Sequence, residues 1–137
     1  MSRHLSKALS LFLGVLMFAF GFLKFFEPFH GWVEMQIQMS HLPQESILAG
    51  KLGEMFTGCL FLLAWLQGSF TAKRRGQVIL FACLMLVVQM CVAIYVHLQP
   101  EVPASVLPLG IKPPVIPGVV LVLAVWNGFL TTSRRIE

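Results

Sequence analysis

Charge is what this sequence has least of. Charged residues make up 12% of the 137, against 57% hydrophobic residues, about half the charged share of a water-soluble domain. A chain this long makes one domain, and a soluble domain of that size has too little interior to hide so much apolar surface. The excess calls for lipid as its solvent. Vicinal thiols are also missing. The three cysteines, Cys59, Cys83 and Cys91, fall in apolar runs, form no CxxC and match no zinc-ligand spacing. They read as small buried apolar side chains, with Cys83 and Cys91 on one helix face two turns apart, and they do not report the redox compartment. The sequence carries no dinucleotide fingerprint and no histidine pair placed to hold a haem between spans. No metal is expected, since a set drawn from His97, Glu54, His30 and His41 has no ligand spacing behind it. The net charge of +4 comes without an aromatic-interleaved basic surface, which excludes a nucleic-acid partner.

What is present is a set of long uncharged runs. Ala8 to Leu23 is apolar apart from Ser10 and continues past Lys24 through Phe25 and Phe26. Met55 to Ala72, Gly76 to Val96 and Pro113 to Ser133 hold no charge at all. A helix rises about 1.5 Å per residue, so roughly 20 residues cross a hydrocarbon core. Only helices satisfy the backbone of such runs in lipid, and nothing alternates with the period of a strand. The pattern predicts an all-α membrane protein, a four-transmembrane-helix bundle in one domain over residues 1–137, with spans at approximately 8–27, 50–70, 76–98 and 115–133. Arg3 and Lys7 ahead of an apolar core resemble the start of a secretory signal. The bulky, charged Gly21-Phe22-Leu23-Lys24-Phe25-Phe26 stands where a cleavage site needs small residues, so the first span is expected to be retained.

Basic residues give the orientation. Arg3 and Lys7 precede span one, Lys73, Arg74 and Arg75 separate spans two and three, and Arg134 and Arg135 follow span four. The long loop from Pro28 to Gly50 has Glu34 and Glu45 but no Lys or Arg, and the loop from Leu98 to Lys112 has one of each sign. The positive-inside rule places the N-terminus and the C-terminus on the cytoplasmic side. Val33 to Met39 in the first outer loop reads as a short interfacial helix. Pro100, Pro103, Pro108, Pro113, Pro114 and Pro117 make the other a stiff, non-helical cover. No internal repeat stands out, so an inverted-repeat transporter is not indicated.

Ionisable groups inside spans are costly and mark the protein interior or a cavity. Lys24 and Glu27 lie at the outer end of span one, Lys51 and Glu54 at the outer start of span two, and His97 at the outer end of span three. The spans alternate in direction, yet all five groups fall at one depth. At about 100° per residue, Ser10, Gly14, Met17, Gly21 and Lys24 share one side of span one. Glu54, Gly58, Phe61 and Trp65 do so on span two, Gln89, Ala93 and His97 on span three, and Ala124, Asn127 and Thr131 on span four. Small and polar residues mark the packing side of a membrane helix. The candidate pocket residues are therefore Glu54, His97, Lys24, Glu27, Lys51 and, deeper, Gln89. Against a pocket stands a simpler reading, in which Lys24–Glu27 and Lys51–Glu54 are local i,i+3 ion pairs that finish helices and the lysines snorkel.

The motifs are also familiar. Gly14-(x)6-Gly21-Phe22-Leu23-Lys24-Phe25, Gly50-Lys51-Leu52-Gly53-Glu54-(x)3-Gly58-Cys59-Leu60 and His97 at the end of span three resemble the DoxX-like family of small four-helix integral membrane proteins. The resemblance covers most of the chain and places Lys24, Glu54 and His97 at patterned positions, without a catalytic set to carry over. Some members are similar to the small subunit of a thiosulfate:quinone oxidoreductase, and others are associated with thiol or oxidative-stress complexes. The resemblance implies a multi-pass protein of a bacterial cytoplasmic membrane.

The expected function is a membrane component of a redox or quinone-linked system. It would bind a quinone or another lipid-soluble small molecule in the outer half of the bundle, with electrons supplied by a partner protein. Two other classes stay open. One is a non-enzymatic assembly factor or chaperone for another membrane protein. The other is a membrane enzyme using Glu54 and His97 as acid and base on a lipid-like substrate. A through-path for solute or protons is disfavoured, because little polar lies between Gln89 and Asn127 in depth. The basic clusters make a direct prediction. Cysteines introduced at Gln44 and Ser105 should react with an impermeant maleimide from outside intact cells, and one at Ser133 only after lysis; labelling of Ser133 in intact cells would reverse the orientation.

Overall fold

The protein is described by a computed structural model over residues 1–136, with side chains through Arg134. Five α-helices follow one another: α1 (Ser2–Leu23), α2 (Phe29–Met39), α3 (Glu45–Leu66), α4 (Ala72–Leu98) and α5 (Val115–Ile136), with 3₁₀ turns at Ala104–Val106 and Pro108–Gly110 between the last two. α1, α3, α4 and α5 are long and apolar enough to cross a membrane. Only between 28% and 39% of each apolar stretch is buried in the bundle. Phe12, Val15, Leu63, Phe81, Leu84, Val122 and Phe129 point outward. An apolar exterior around an apolar core is what lipid contact requires.

The helices extend past the uncharged runs because charge does not end a helix. α1 stops at Leu23, where Lys24 caps it and Pro28 bars a helical continuation. α3 begins at Glu45, just after Pro43. α4 begins at Ala72, with Thr71 as N-cap accepting the Arg74 backbone N–H at 3.2 Å. Lys73, Arg74 and Arg75 are therefore the first turn of α4 and not a linker. In the first outer loop α2 starts one turn before Val33, at Phe29, and packs Val33 and Ile37 on Ile47 of α3. The proline-rich segment differs from a wholly non-helical cover, since it contains two 3₁₀ turns, and it buries Val102, Val106 and Leu107 against Val96, Trp32 and Leu42. Gln36 of α2 donates its Nε2 to the Val106 carbonyl, so α2 and this segment close one end of the bundle together.

The opposite end gathers both termini and the α3–α4 turn. Ser6 and Ser10 of α1 lock onto α5 there. Ser6 Oγ donates to Asn127 Oδ1 at 2.8 Å, and Asn127 Nδ2 donates to Ser10 Oγ at 2.9 Å. Between the ends lies a dry layer of Leu13, Met17, Phe61, Ile79, Leu86 and Ala124.

The tightest seam joins α1 to α3 through glycine. A Cβ on Gly58 would lie 2.6 Å from the Phe18 nitrogen and 2.7 Å from the Gly14 oxygen; one on Gly21 would lie 2.7 Å from the Lys51 oxygen. These neighbours are backbone atoms, which cannot rotate away. Gly58→Ala should therefore lower unfolding stability in detergent by about 1–3 kcal/mol. Gly118→Ala, where a Cβ meets open space, should leave the midpoint unchanged or raise it slightly. Equal effects in a melting assay would dismiss the seam.

Candidate functional site

The glycine seam sets α1 and α3 close enough for a long side chain to cross between them. Lys24 Nζ reaches Glu54 Oε1 at 2.6 Å, with the side chains 28% and 12% exposed. The local i,i+3 pairs do not form. Glu27 lies beyond the end of α1, exposed, with Oε2 accepting the Gly31 N–H at 3.3 Å. Lys51, only 4% exposed, sets its ammonium 2.5 Å from His30 Nδ1 and 4.9 Å from the centre of the Phe25 ring. An ammonium only donates, so His30 Nδ1 accepts and its Nε2–H is free to donate to Glu34 Oε1, 3.0 Å away. The two ion pairs read from spacing are thus replaced by a cross-bundle pair and a Lys51–His30–Glu34 chain.

A cavity of about 360 Å³ opens at this end between the spanning helices, under α2 and the proline-rich segment. Lys24, Lys51, Glu54, Gln89 and His97 line it; Glu27 does not. Most of the remaining wall is apolar, from Met17, Phe20, Val88, Ile116 and Val120. A small polar set on an apolar wall is the usual form of a small-molecule site. Gln36 and Ser46 also line it, and sequence reading missed both, since the fold of α2 over α3 is what brings them in.

The polar set is incompletely satisfied. Glu54 Oε1 holds Lys24, but Oε2 is buried without a hydrogen-bond partner, as is Oε1 of Gln89, whose Nε2 donates to Thr57 Oγ1 at 2.9 Å. Buried oxygens of this kind are costly and normally find a donor. His97 is 4% exposed, and its Nδ1 lies 3.2 Å from the Lys112 carbonyl oxygen. A carbonyl only accepts, so Nδ1 carries the proton and the neutral ring keeps a lone pair on Nε2.

No three of the His, Cys, Asp or Glu side chains among the described residues come together as metal ligands. His30 and His41 turn instead to Glu34 and Glu101. The cysteines are free and lie apart from the cavity: Cys83 is buried, Cys59 half-buried and Cys91 exposed to the lipid side. Cys83 and Cys91 do not share a face, because eight residues overshoot two turns by about 80°. No family model, curated protein or solved structure matches the chain.

The Lys24–Glu54 pair carries its own test. Lys24→Met strands a carboxylate and should destabilise the protein by on the order of 1–3 kcal/mol. Adding Glu54→Gln to that variant should recover much of the loss. Additive losses in thermal melts of the two single variants and the double variant would mean the pair is not coupled.

Proposed function

We propose that the protein holds a lipid-soluble molecule with a hydroxyl-bearing head in the cavity at its loop-covered end, as the membrane component of a redox or quinone-linked system. One observation carries this reading: Glu54 has one oxygen on Lys24 and the other buried without a donor, on the wall of an apolar cavity. A head group that donates a hydrogen bond completes the carboxylate, and the apolar wall takes the tail. Gln89 Oε1 and the neutral His97 ring supply further acceptors. A quinone carbonyl offers no proton to any of them, whereas the hydroquinone form offers two hydroxyls, so the reduced form is the better match.

In that setting Glu54 and His97 are the proton acceptors when a hydroquinone is oxidised. Its two protons go to these groups, and its two electrons go to a redox protein bound alongside. The short DoxX-like motifs around Lys24, Glu54 and His97 agree with this assignment. So does a cytoplasmic placement of the basic end, which sets the cavity in the outer leaflet of a bacterial cytoplasmic membrane.

The experiment is a retention assay on purified, delipidated protein with a short-chain ubiquinol, kept reduced, and with its oxidised form. The wild type should retain the quinol more tightly than the quinone. Glu54→Gln, which keeps shape but loses the ionised acceptor, should weaken quinol retention by about tenfold, the scale of a charge-assisted hydrogen bond. Glu45→Gln and Glu101→Gln, on exposed carboxylates away from the cavity, should leave it unchanged. Equal retention by all three variants would sink the assignment.

A further inference from the structure

The end that carries the termini holds a second cavity, about 540 Å³, lined by Arg3 of α1, Trp65 of α3, Lys73 and Arg75 of α4 and Arg134 of α5. Four cations from three helices converge there, from positions far apart in sequence. The sequence contains no aspartate. The glutamates among the described residues, Glu27, Glu34, Glu45, Glu54 and Glu101, all sit in the other half of the bundle or its loops. Among the described residues no carboxylate meets these four; like charges gathered together repel one another, and an anion among them removes that penalty.

The cluster is also held in place. Arg75 donates its Nε to the Ala64 carbonyl at 2.7 Å and lies 4.9 Å from the centre of the Trp65 ring. Arg134 donates to the Leu130 carbonyl at 3.3 Å and lies 6.0 Å from the same ring. Each guanidinium has five N–H donors, so most remain free. Trp65 adds another, because its buried indole Nε1–H finds no acceptor in the protein. Apart from the Thr131 hydroxyl, which already donates to the Asn127 carbonyl at 2.8 Å, the polar side chains of the wall only donate. Their complement is a group that only accepts and carries negative charge.

We infer that this cavity is a binding site for a phosphate group, supplied by the headgroup of an anionic phospholipid or by free phosphate. Basic pockets between membrane helices recognise headgroups through the same charge-assisted bonds, and arginine forks suit phosphate oxygens. The site is separate from the cavity beside Glu54, and the dry layer of Leu13, Met17, Phe61 and Leu86 divides the two. It depends on neither the ligand of that cavity nor the orientation in the membrane.

Arg74 provides the internal control. It lies beside Arg75 with the same charge, but it is exposed and does not line the cavity. The full chain, purified and delipidated in neutral detergent, is titrated with phosphatidylglycerol, with phosphatidylcholine and with inorganic phosphate. Thermal stabilisation and bound lipid by native mass spectrometry are the readouts. Phosphatidylglycerol or phosphate should stabilise the wild type. Arg75→Gln and Arg134→Gln should each weaken that response by about tenfold, while Arg74→Gln stays within about twofold. The described hydrogen bond of Arg134 stays within its own helix, so its variant keeps the test valid if Arg75→Gln unfolds. A response to phosphatidylglycerol alone names the lipid headgroup, and one to inorganic phosphate alone names the free ion; either supports the site. Absence of response to both probes, a response to phosphatidylcholine equal to that to phosphatidylglycerol, or an equal loss in Arg74→Gln would overturn it.

Discussion

In lipid, helices gain little from hiding apolar side chains from one another, because the surrounding tails are as apolar as leucine. What remains is close packing, and here it is concentrated where α1 meets α3. Gly14 and Gly21 face Gly58 and the backbone of residues 51–55 at distances that exclude a Cβ. Much of the rest depends on that contact. It lets the Lys24 side chain span the gap to Glu54 and sets one rim of the cavity. It also fixes the level at which Lys51, just above, meets Phe25 and His30. A wider spacing would take Glu54 out of the reach of Lys24.

The bundle is polar at both ends and dry in the middle, and the two ends differ in kind. Near the loops, the unsatisfied buried atoms on the cavity wall are acceptors, Glu54 Oε2 and Gln89 Oε1, and the one other, Ser40 Oγ at the end of α2, lies off that wall. Near the termini, the unsatisfied buried atom is a donor, Trp65 Nε1, set among arginines. Buried polar atoms that lack partners are rare in folded proteins, so their sorting by type constrains what each end can receive. Ser6, Ser10, Asn127 and Thr131 show the contrast. Their polar atoms are equally buried but satisfy one another, which makes them a clasp between α1 and α5 and leaves nothing to offer a ligand.

The fold was largely legible, because uncharged runs of membrane length have few alternatives to helix. The inward sides of the helices were legible for the same reason that they exist: small and polar residues repeat at helical spacing. Buried Ser10, Gly14 and Met17 on α1, and Ala124, Asn127 and Thr131 on α5, follow that pattern. Partners were not legible. Spacing proposes Lys24 with Glu27 and Lys51 with Glu54, whereas the distance between two helices decides for Lys24–Glu54 and Lys51–His30. Glu27 and Glu54 stand three residues from a lysine in equivalent ways, yet α1 stops at Leu23 and leaves Glu27 exposed, whereas Glu54 lies within α3, half-buried against Lys24. The basic cavity was hidden for a related reason. Read along the chain, Lys73-Arg74-Arg75 is a linker that sets topology; folded, it is the opening turn of α4 and projects Arg75 onto Trp65.

The proline-rich segment bears on His97 more directly than a passive cover would. The Lys112 ammonium donates to the carbonyls of Gln99, at 2.5 Å, and Val102, at 2.6 Å, which ties the segment's far end back to the end of α4. That closure presents the carbonyl of Lys112 itself to His97 Nδ1. One residue thus holds the loop shut with its side chain and selects the histidine tautomer with its backbone, leaving Nε2 as the ring's open position. The hydrogen bond that one ring nitrogen of a histidine makes decides the tautomer, and so which nitrogen can take a proton. The conformation of the cover and the tautomer of His97 are therefore set by one residue, Lys112.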